Sequence, residues 1–490
     1  MPPGIPNAPL TVQNGGGAVI PVSTADVHAV IGVCTAGTAN TLYQYTDPTT
    51  MQAAHLSGEA VEAAAVSLAT PGTGSVILVP INASVAGTRG SVTRHVDGTV
   101  NSTFVLSGNP LESYDAIVKF LTGTTLLAGG TATFQYSLDN GQTFSPVFAL
   151  STSGVFAIPG TGLTFTIADA VSSPVATVVA GDYYTWSSVG PAYTSTDVLA
   201  AVNALLADPR GWNFLHLVGR AASGTATITM AGVLQTLMSS AEARVRYAFA
   251  MMEAAPDTDA NLISAQAAFV GNRVMICADV EHVTSPLTGT QKLRSTAWKT
   301  AARIVSIPIS QDPAAVEDGP LGSTGPSTGL IGRDEAVTPA LNAVRYTTHR
   351  TFVGLIGIWV TNGLMMEQSG GDYDLVQYRR VMDRACEVAH TAAIFYLSKK
   401  VRVNGKAVKL PAIPGGIAEE DAIAIEKNIN ALLRDEIVTP GHASACSVAL
   451  SRTANLISNG GVDPITIRLV KDGYLKSLPI NIGFQNPALA

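Results

Sequence analysis

An α/β core with an inserted all-β, sandwich-like domain and a small C-terminal α+β module, flanked by extended N- and C-terminal arms, is the fold class this sequence predicts. Three observations predict it. Short apolar runs alternate with helical stretches over residues 24–83 and again over 193–380, the rhythm of a parallel sheet with crossover helices. Between them, residues 84–192 lose helical periodicity and turn to Gly, Thr, Ser and alternating apolar residues, the period of half-buried strands. At 490 residues the chain exceeds what one core usually serves. The expected divisions are an arm at 1–23, the core at 24–83 plus 193–380, an outward-facing β insertion at 84–192, and a terminal module at 381–490.

Residues 1–23 are rich in Pro and Gly and cannot form a helix. Leu10, Val12, Val19, Ile20 and Val22 leave two readings open: a frayed tail, or an arm adding a strand to a neighbour's sheet. A buried strand is expected at 27–33. Asp47-Pro48 then turns the chain, with Thr49 or Thr50 as the cap of a first helix. A second helix runs over 60–68 until Pro71-Gly72, and a strand parallel to the first follows at 76–79.

In the insertion, Phe134, Tyr136 and Leu138 alternate with Gln135 and Ser137 before an Asp139-Asn140-Gly141 turn. Leu163, Phe165 and Ile167 make a second alternating run, and Val175, Thr177 and Val179 a third. An insertion that leaves the interrupted core intact must face outward.

The α/β order resumes with a helix capped at Thr196-Asp197 and striped by Val198, Leu199, Val202, Leu205 and Leu206. Strands are expected at 214–218, 247–252 and 273–280, with helices at 231–240, 262–269 and 295–304. The Gly/Pro-rich stretch 308–332 is long enough to be a contact loop. One apolar strand is expected over 352–360, then a turn at Thr361-Asn362-Gly363 and a short return at 364–366. The following helix puts Leu375, Tyr378, Val381, Met382, Ala385, Val388, Ala389, Ala392, Phe395 and Tyr396 on one stripe. Its opposite face carries Gln377, Arg379, Arg380, Asp383, Arg384 and Glu387.

In the terminal module, Asn404-Gly405 is expected to turn a hairpin between 401–403 and 407–410. A helix follows, with Glu419, Glu420 and Asp421 in its first turn, Arg434 in its last, and a stripe of Ile425, Ile429, Leu432 and Leu433. Strands are expected at 447–450 and 465–470. The final run, 478–484, is bounded by prolines and can pair only as an edge strand or on another chain.

The chemistry-bearing patterns are few. Phosphate-loop, G-x-S-x-G, H-E-x-x-H and calcium-loop signatures are missing from the sequence. Four scattered cysteines, Cys34, Cys277, Cys386 and Cys446, form neither a C-x-x-C pair nor a disulfide framework and read as buried or partly buried thiols. No two of the eight histidines stand four apart, and His28 and His216 read as hydrogen-bonded core residues. Asp279 and Glu281 lie on one face of a strand end, but the i, i+2 spacing is common by chance and is not read as a glycosidase-like pair. Ser137–Phe144 resembles the Asp-box, S-x-D-x-G-x-T-W, with Phe144 in place of Trp; one copy reads as a stabilised hairpin. We therefore expect no catalytic residue, no cofactor and no metal.

Hydrophobic residues make up 47% of the chain and charged ones only 13%. Such a surface is best covered by copies of the same chain. The net charge of −7 argues against nucleic acid as a partner. There is no basic-then-apolar leader at the first residues, and no apolar run reaches the roughly 20 residues that span a bilayer, so a soluble product without membrane insertion is expected.

The run Gly357-Ile358-Trp359-Val360-Thr361-Asn362-Gly363, followed by 373–380 with its Arg379-Arg380 pair leading into a helix, resembles the sheath protein of contractile phage tails and related injection machines. The resemblance covers the α/β segments and both ends, not residues 84–192. It implies a helical or stacked-ring homopolymer around an inner tail tube protein, with baseplate and tail terminator proteins as further partners, in a virion tail assembled in the host cytoplasm. It also implies intersubunit arm strands, at Leu10, Val12, Val19, Ile20 and Val22 and at Ile465, Ile467, Leu469, Ile480 and Ile482. Tube or neighbour contacts would fall to Lys399, Lys400, Arg402, Lys406, Lys409, Glu419 and Glu420. The rival reading is an α/β enzyme or glycan-binding protein with a carbohydrate-binding β insertion. A non-contractile shell or adhesin component is a third.

Overall fold

The computed structural model describes residues 27–95, 102–124, 127, 132–168, 178–322, 332–405, 413–462 and 464–480. It is a mixed α/β chain that divides into two compact units, Pro9–Asp383 and Arg384–Ala490, the division falling within one helix.

The large unit starts with β1 (His28–Gly32), β2 (Tyr43–Tyr45), α1 (Pro48–His55), α2 (Glu59–Leu68) and β3 (Val76–Pro80). Asp47 caps α1, its carboxylate accepting from Thr50 N at 2.7 Å with Pro48 in the first turn. The cap is thus Asp47 rather than Thr49 or Thr50, because a carboxylate satisfies the orphan amide and favours the positive helix end. The short polar strand β2, not expected from the sequence, lies antiparallel on β3 as an edge.

Nine strands and no helix are described between β3 and residue 190: β4 (Thr88–Arg89), β5 (Thr93–His95), β6 (Thr103–Gly108), β7 (Asp115–Phe120), β8 (Thr133–Ser137), β9 (Phe148–Ala149), β10 (Val155–Ile158), β11 (Leu163–Ala168) and β12 (Tyr183–Val189). They make a three-stranded sheet, β10-β11-β6, and a larger one ordered β4-β12-β7-β8-β9 with β5 also on β12. Both contribute to one aromatic core around Phe120, Phe134, Phe165, Tyr184 and Trp186. Of the expected run at Val175, Thr177 and Val179, the first two lie outside the described residues.

The chain then alternates α3 (Ser195–Ala207), β13 (Phe214–Leu217), α4 (Gly224–Glu242), β14 (Phe249–Glu253), α5 (Asp259–Gln266) and β15 (Val274–Cys277). A hairpin, β16 (Val280–Thr284) and β17 (Gln291–Ser295), precedes α6 (Ala297–Ser306). The expected strand at 273–280 therefore stops at Cys277, and Val280 opens the separate hairpin. The α3 cap is Thr194, in a capping box with Asp197, two residues before the expected Thr196. Leu199 is 44% exposed, and Ala201 takes its place on the buried stripe.

Five parallel strands in the order β15-β14-β13-β1-β3, with β2 at the edge, form the central sheet. Ala29, Ile31, Leu215, Leu217, Ala250 and Met252 point to the face covered by α3 and α4. Val30, Leu78, Phe214, Phe249 and Met251 point to the face covered by α2 and α6. Burial on both faces explains why these strands read as continuous apolar runs. The order reverses between β1 and β13, so the carboxyl ends of those strands flank the position where open α/β sheets usually take ligands.

The expected strand at 352–360 is instead a hairpin. β18 (His349–Phe352) and β19 (Leu355–Val360) are joined through Val353-Gly354, where Gly354 adopts φ +87°. An apolar run bent at glycine looks continuous in sequence because the tip, Val353 and Ile356, stays exposed and apolar. Part of the 308–332 loop is tied to the same chain, with Leu321 N donating to Ile358 O at 2.7 Å. Helix α7 (Val376–Ile394) corrects a second expectation. Gln377, Arg379, Arg380 and Asp383, read as a polar outer face, are buried, whereas Phe395, placed on the apolar stripe, is 74% exposed.

The small unit holds α8 (Glu419–Leu433), β20 (Ala445–Ala449), α9 (Leu456–Asn459) and β21 (Thr466–Val470). Ala422, Ile425, Ile429 and Leu433 form the buried stripe of α8, while Leu432 is 44% exposed. Val403 pairs with Ile417, and Asn404 N donates to Gly416 O at 2.8 Å. The expected return strand at 407–410 lies outside the described residues.

Candidate functional site

The sequence's chemical candidates resolve into structural roles. Burial pushes the Cys34 thiol up to about 12, which removes it as a nucleophile near neutrality. Asp279 is fully buried against His349 Nδ1 at 3.1 Å and Arg333 Nη1 at 3.4 Å. Glu281 pairs with Lys299 Nζ at 2.7 Å, so each carboxylate has its own cation. No cluster of His, Cys, Asp and Glu that could hold a metal occurs among the described residues. No described helix is long and apolar enough to cross a membrane.

The Asp-box-like turn is built from local bonds. Ser137 Oγ donates to Asp139 Oδ1 at 2.7 Å, and Thr143 N and Oγ1 donate to the same carboxylate at 2.9 and 2.6 Å. Both carboxylate oxygens of Asp139 thereby accept bonds inside the hairpin. His28 and His216 are buried and stacked, with ring centroids 6.0 Å apart. Neither ring has a hydrogen-bond partner, which corrects the expectation of hydrogen-bonded core histidines.

The expected contact residues sit in the small unit. Arg402 Nη2 lies 2.7 Å from Glu420 and 2.9 Å from Asp421, and Glu419 pairs with Arg452 at 3.0 Å. Arg402, Glu419 and Glu420 thus form ion pairs within their own chain. Lys399 is exposed with its ammonium 4.9 Å above the Tyr396 ring, and Lys400 is exposed beside it. Lys406 and Lys409 lie outside the described residues, as do Leu10, Val12, Val19, Ile20, Val22 and Ile482.

Ile467 and Leu469 lie in β21, antiparallel to β20 of the same chain through Ile467↔Val448 and Leu469↔Cys446. They have a partner strand within their own chain. Ile465 immediately precedes β21. Among the described residues the sheet stops at two strands, leaving one edge of each without a strand neighbour. Residues 471–480 continue without regular structure, and Leu475, Leu478 and Ile480 are 79%, 68% and 70% exposed. Open edges beside an extended apolar segment provide what strand addition requires.

Sequence reasoning missed two buried ionic sites. In the first, Arg273 precedes β15 and is 1% exposed. Its Nη1 lies 3.1 Å from Asp383 Oδ1, and its Nη2 lies 2.9 Å from Glu242 Oε1. Asp383 also pairs with Arg379, one helical turn earlier. Burial works against the charge on Arg273, but Asp383 and Glu242 overcome it and hold the guanidinium above its ordinary range.

The second site lies where α2 begins beside the carboxyl end of β1. Glu112, 2% exposed, precedes β7 and accepts from Gly58 N at 2.7 Å. Its other oxygen lies 2.6 Å from Lys292 Nζ and 3.6 Å from Arg294 Nη2. Lys292 also pairs with Glu62 at 2.8 Å. Burial pushes the Glu112 carboxyl up, yet Lys292, Arg294 and the Gly58 amide outweigh it and hold it below the usual range. Glycine is required at 58: its φ is +125°, and a Cβ would stand 2.5 Å from Val33 O. The i,i+2 basic pair Lys292/Arg294 was the available signal, but its partners lie far away in sequence.

With this geometry in view, the chain can be compared with known proteins. No curated protein matches it. A chain of the cryo-EM structure of the anti-feeding prophage (AFP) baseplate in the contracted state is similar, with a TM-score of 0.50 and 11% identity over 99% of each chain. The sheath tail protein Lin1278 from Listeria innocua aligns at a TM-score of 0.45 and 10% identity, over 91% of this chain and 95% of that one. The PVC sheath complex of an extracellular contractile injection system, in its contracted state, gives 0.41 and 10%, over 63% and 78%. The chain shares its fold with the AFP baseplate chain, and sheath proteins, which the runs at 357–363 and 373–380 resemble, are among the solved structures similar to it. A family model described as DUF2586, N-terminal domain, matches residues 9–364, and the chain accordingly belongs to that family.

Proposed function

We propose that this chain is the structural subunit of a contractile tail sheath, polymerising around an inner tube and driving its ejection by switching from an extended to a contracted lattice. The observation that carries the reading is the β20-β21 sheet, which has no further strand on either edge among the described residues, followed by residues 471–480 with Leu475, Leu478 and Ile480 exposed. Strands donated by neighbouring copies would complete this sheet. Main-chain bonds of that kind survive rigid-body rotation when the connecting segments bend. The full-length fold likeness to a chain of the contracted AFP baseplate supports the same reading.

In this arrangement the β segment at 84–192 is an outward-facing insertion, and the small unit, with Lys399 and Lys400 exposed, faces the tube. Inner tube, baseplate and tail terminator proteins are the further partners, and the location is the tail of a virion or of a phage-derived injection device. Contraction draws on new contacts between subunits, without nucleotide hydrolysis.

Electron microscopy of the purified full-length chain tests this. Long tubular polymers are expected; compact particles of a few subunits would overturn the sheath reading. Deletion of residues 1–22 should abolish polymerisation while the circular dichroism spectrum is retained. Normal tubes from the truncated chain would refute the part played by the N-terminal arm.

A further inference from the structure

The anion position of the central sheet is built and already filled. In open α/β sheets, the amide-rich start of the helix that follows the strand at the order reversal is where acidic ligand groups are bound. Here β2 and α1 intervene, and the helix start that lies beside the carboxyl end of β1 is Gly58 at the head of α2, with Ala60 N donating to Val33 O; the group bound to it is the carboxylate of Glu112, 54 residues away in sequence. Lys292 closes the other side at 2.6 Å. Arg294 is 5% exposed, and its Nε and Nη2 face the site without any hydrogen-bond partner.

A plain structural ion pair does not require this arrangement. The site holds a main-chain donor at a glycine whose φ of +125° other residues rarely adopt, a buried ammonium and a guanidinium with unused donors. From this geometry we infer that the chain contains a carboxylate-binding site at the carboxyl edge of its sheet, and that Glu112 is its internal ligand, latching the β segment at 88–189 to the α/β core. Geometry sets the ligand class. Glu62 shares Lys292 and lies 3.7 Å from Arg294 Nε. Glu59, Glu253 and Arg220 stand in the same neighbourhood, so that apart from Glu112 the surrounding charges balance. Removing Glu112 takes away one carboxylate and leaves the Gly58 amide, Lys292 and Arg294 Nη2 facing its place, which suits a singly charged carboxylate better than a dianion. Acetate matches the atoms lost in Glu112→Ala: the carboxylate and the carbon that carries it.

The test uses full-length Glu112→Ala with acetate as probe and chloride at equal ionic strength as control. Acetate at tenfold over its dissociation constant should raise the melting temperature of the variant by about 2 °C, in a saturable way. Chloride should not, and the wild-type chain, with its site occupied, should not respond. Adding Lys292→Met to Glu112→Ala should abolish the response. Equal effects of acetate and chloride on Glu112→Ala, or an equal acetate response in the wild-type chain, would overturn the inference. If Glu112→Ala does not fold in chloride, recovery on refolding in acetate alone supports the site, and equal failure in both salts refutes it. Tube formation is not read, so this outcome is independent of the sheath reading.

Discussion

Replacing Asp383 by alanine should destabilise the large unit far more than a typical helix substitution. Asp383 is 3% exposed and is the ion-pair partner of Arg379, itself 3% exposed, and one of two carboxylate partners of Arg273, 1% exposed. Alanine leaves Arg379 with only the Tyr373 ring, 4.2 Å from its guanidinium carbon. Arg273 keeps Glu242 and the carbonyl of Ala248, which lies 2.7 Å from Nη1. Removing one partner of a buried pair costs about 3–5 kcal/mol, because a charge stays buried without compensation. For a unit of roughly 375 residues this corresponds to a drop of about 4–6 °C in melting temperature. Glu242→Gln should cost under about 1 kcal/mol, since that side chain is 47% exposed. Scanning calorimetry on both variants and on the triple variant Arg273→Met/Arg379→Met/Asp383→Leu separates the causes. If uncompensated charge is the origin, the triple variant recovers most of the loss. A triple variant as unstable as Asp383→Ala, or an Asp383→Ala no worse than Glu242→Gln, would refute the argument.

Three further outcomes follow from buried titratable groups. Burial, and then His216, hold His28 well below its ordinary range, so its neutral form is a condition of folding. That stability is complete above about pH 6.5 and lost below it at up to about 1.4 kcal/mol per pH unit; His28→Leu should flatten the melting temperature between pH 7 and 5. Ser84 first, then Thr194 and Asn82, pull the Asp197 carboxyl from 3.8 to about 2, so its contribution is intact above pH 3.8 and vanishes as pH falls through 2. Asp197→Ala should cost about 1 kcal/mol at pH 7 through the lost capping box and should remove that acid-limb slope in a pH-resolved melt. With its thiol raised to about 12, native Cys34 should react with iodoacetamide at pH 8 about 10³-fold more slowly than in the denatured chain, as peptide mass spectrometry can time.

The parallel sheet was legible because its strands are buried on both faces and read as unbroken apolar runs, as in β3 and β14. Helix α2 was legible for a related reason: Gly58 and Pro71-Gly72 bracket a run of good helix formers. Failures occurred where context overrides pattern. The hairpin at Val353-Gly354 carries the same apolar signature on either side of its turn, so nothing in the alternation marks it. Helix α7 misled more deeply. Its arginines and Asp383 have the spacing of a solvated face, and only Arg273, more than 100 residues earlier, turns that face into a buried one. In the candidate docking unit, β20 and β21 were visible as apolar runs, but their pairing with each other was not, because register is a long-range property.

The low charge content acquires a sharper meaning from where the charges lie. Glu62, Glu112, Arg273, Asp279, Glu281, Arg294, Arg379 and Asp383 neutralise one another or their neighbours in the interior. Arg402, Glu419, Glu420 and Arg452 pair locally in the small unit. The outer surface is therefore poorer in free charge than 13% of the sequence suggests. It also carries Val353, Ile356, Leu475, Leu478 and Ile480 at more than two-thirds exposure. A chain living alone in water would gain by exchanging these positions for lysine or glutamate, since exposed apolar groups contribute nothing to folding and promote association. Under the sheath reading proposed above, neighbouring copies would cover such positions. The buried ion pairs fix the interior of the large unit, since each charge there has a partner that only the folded chain supplies.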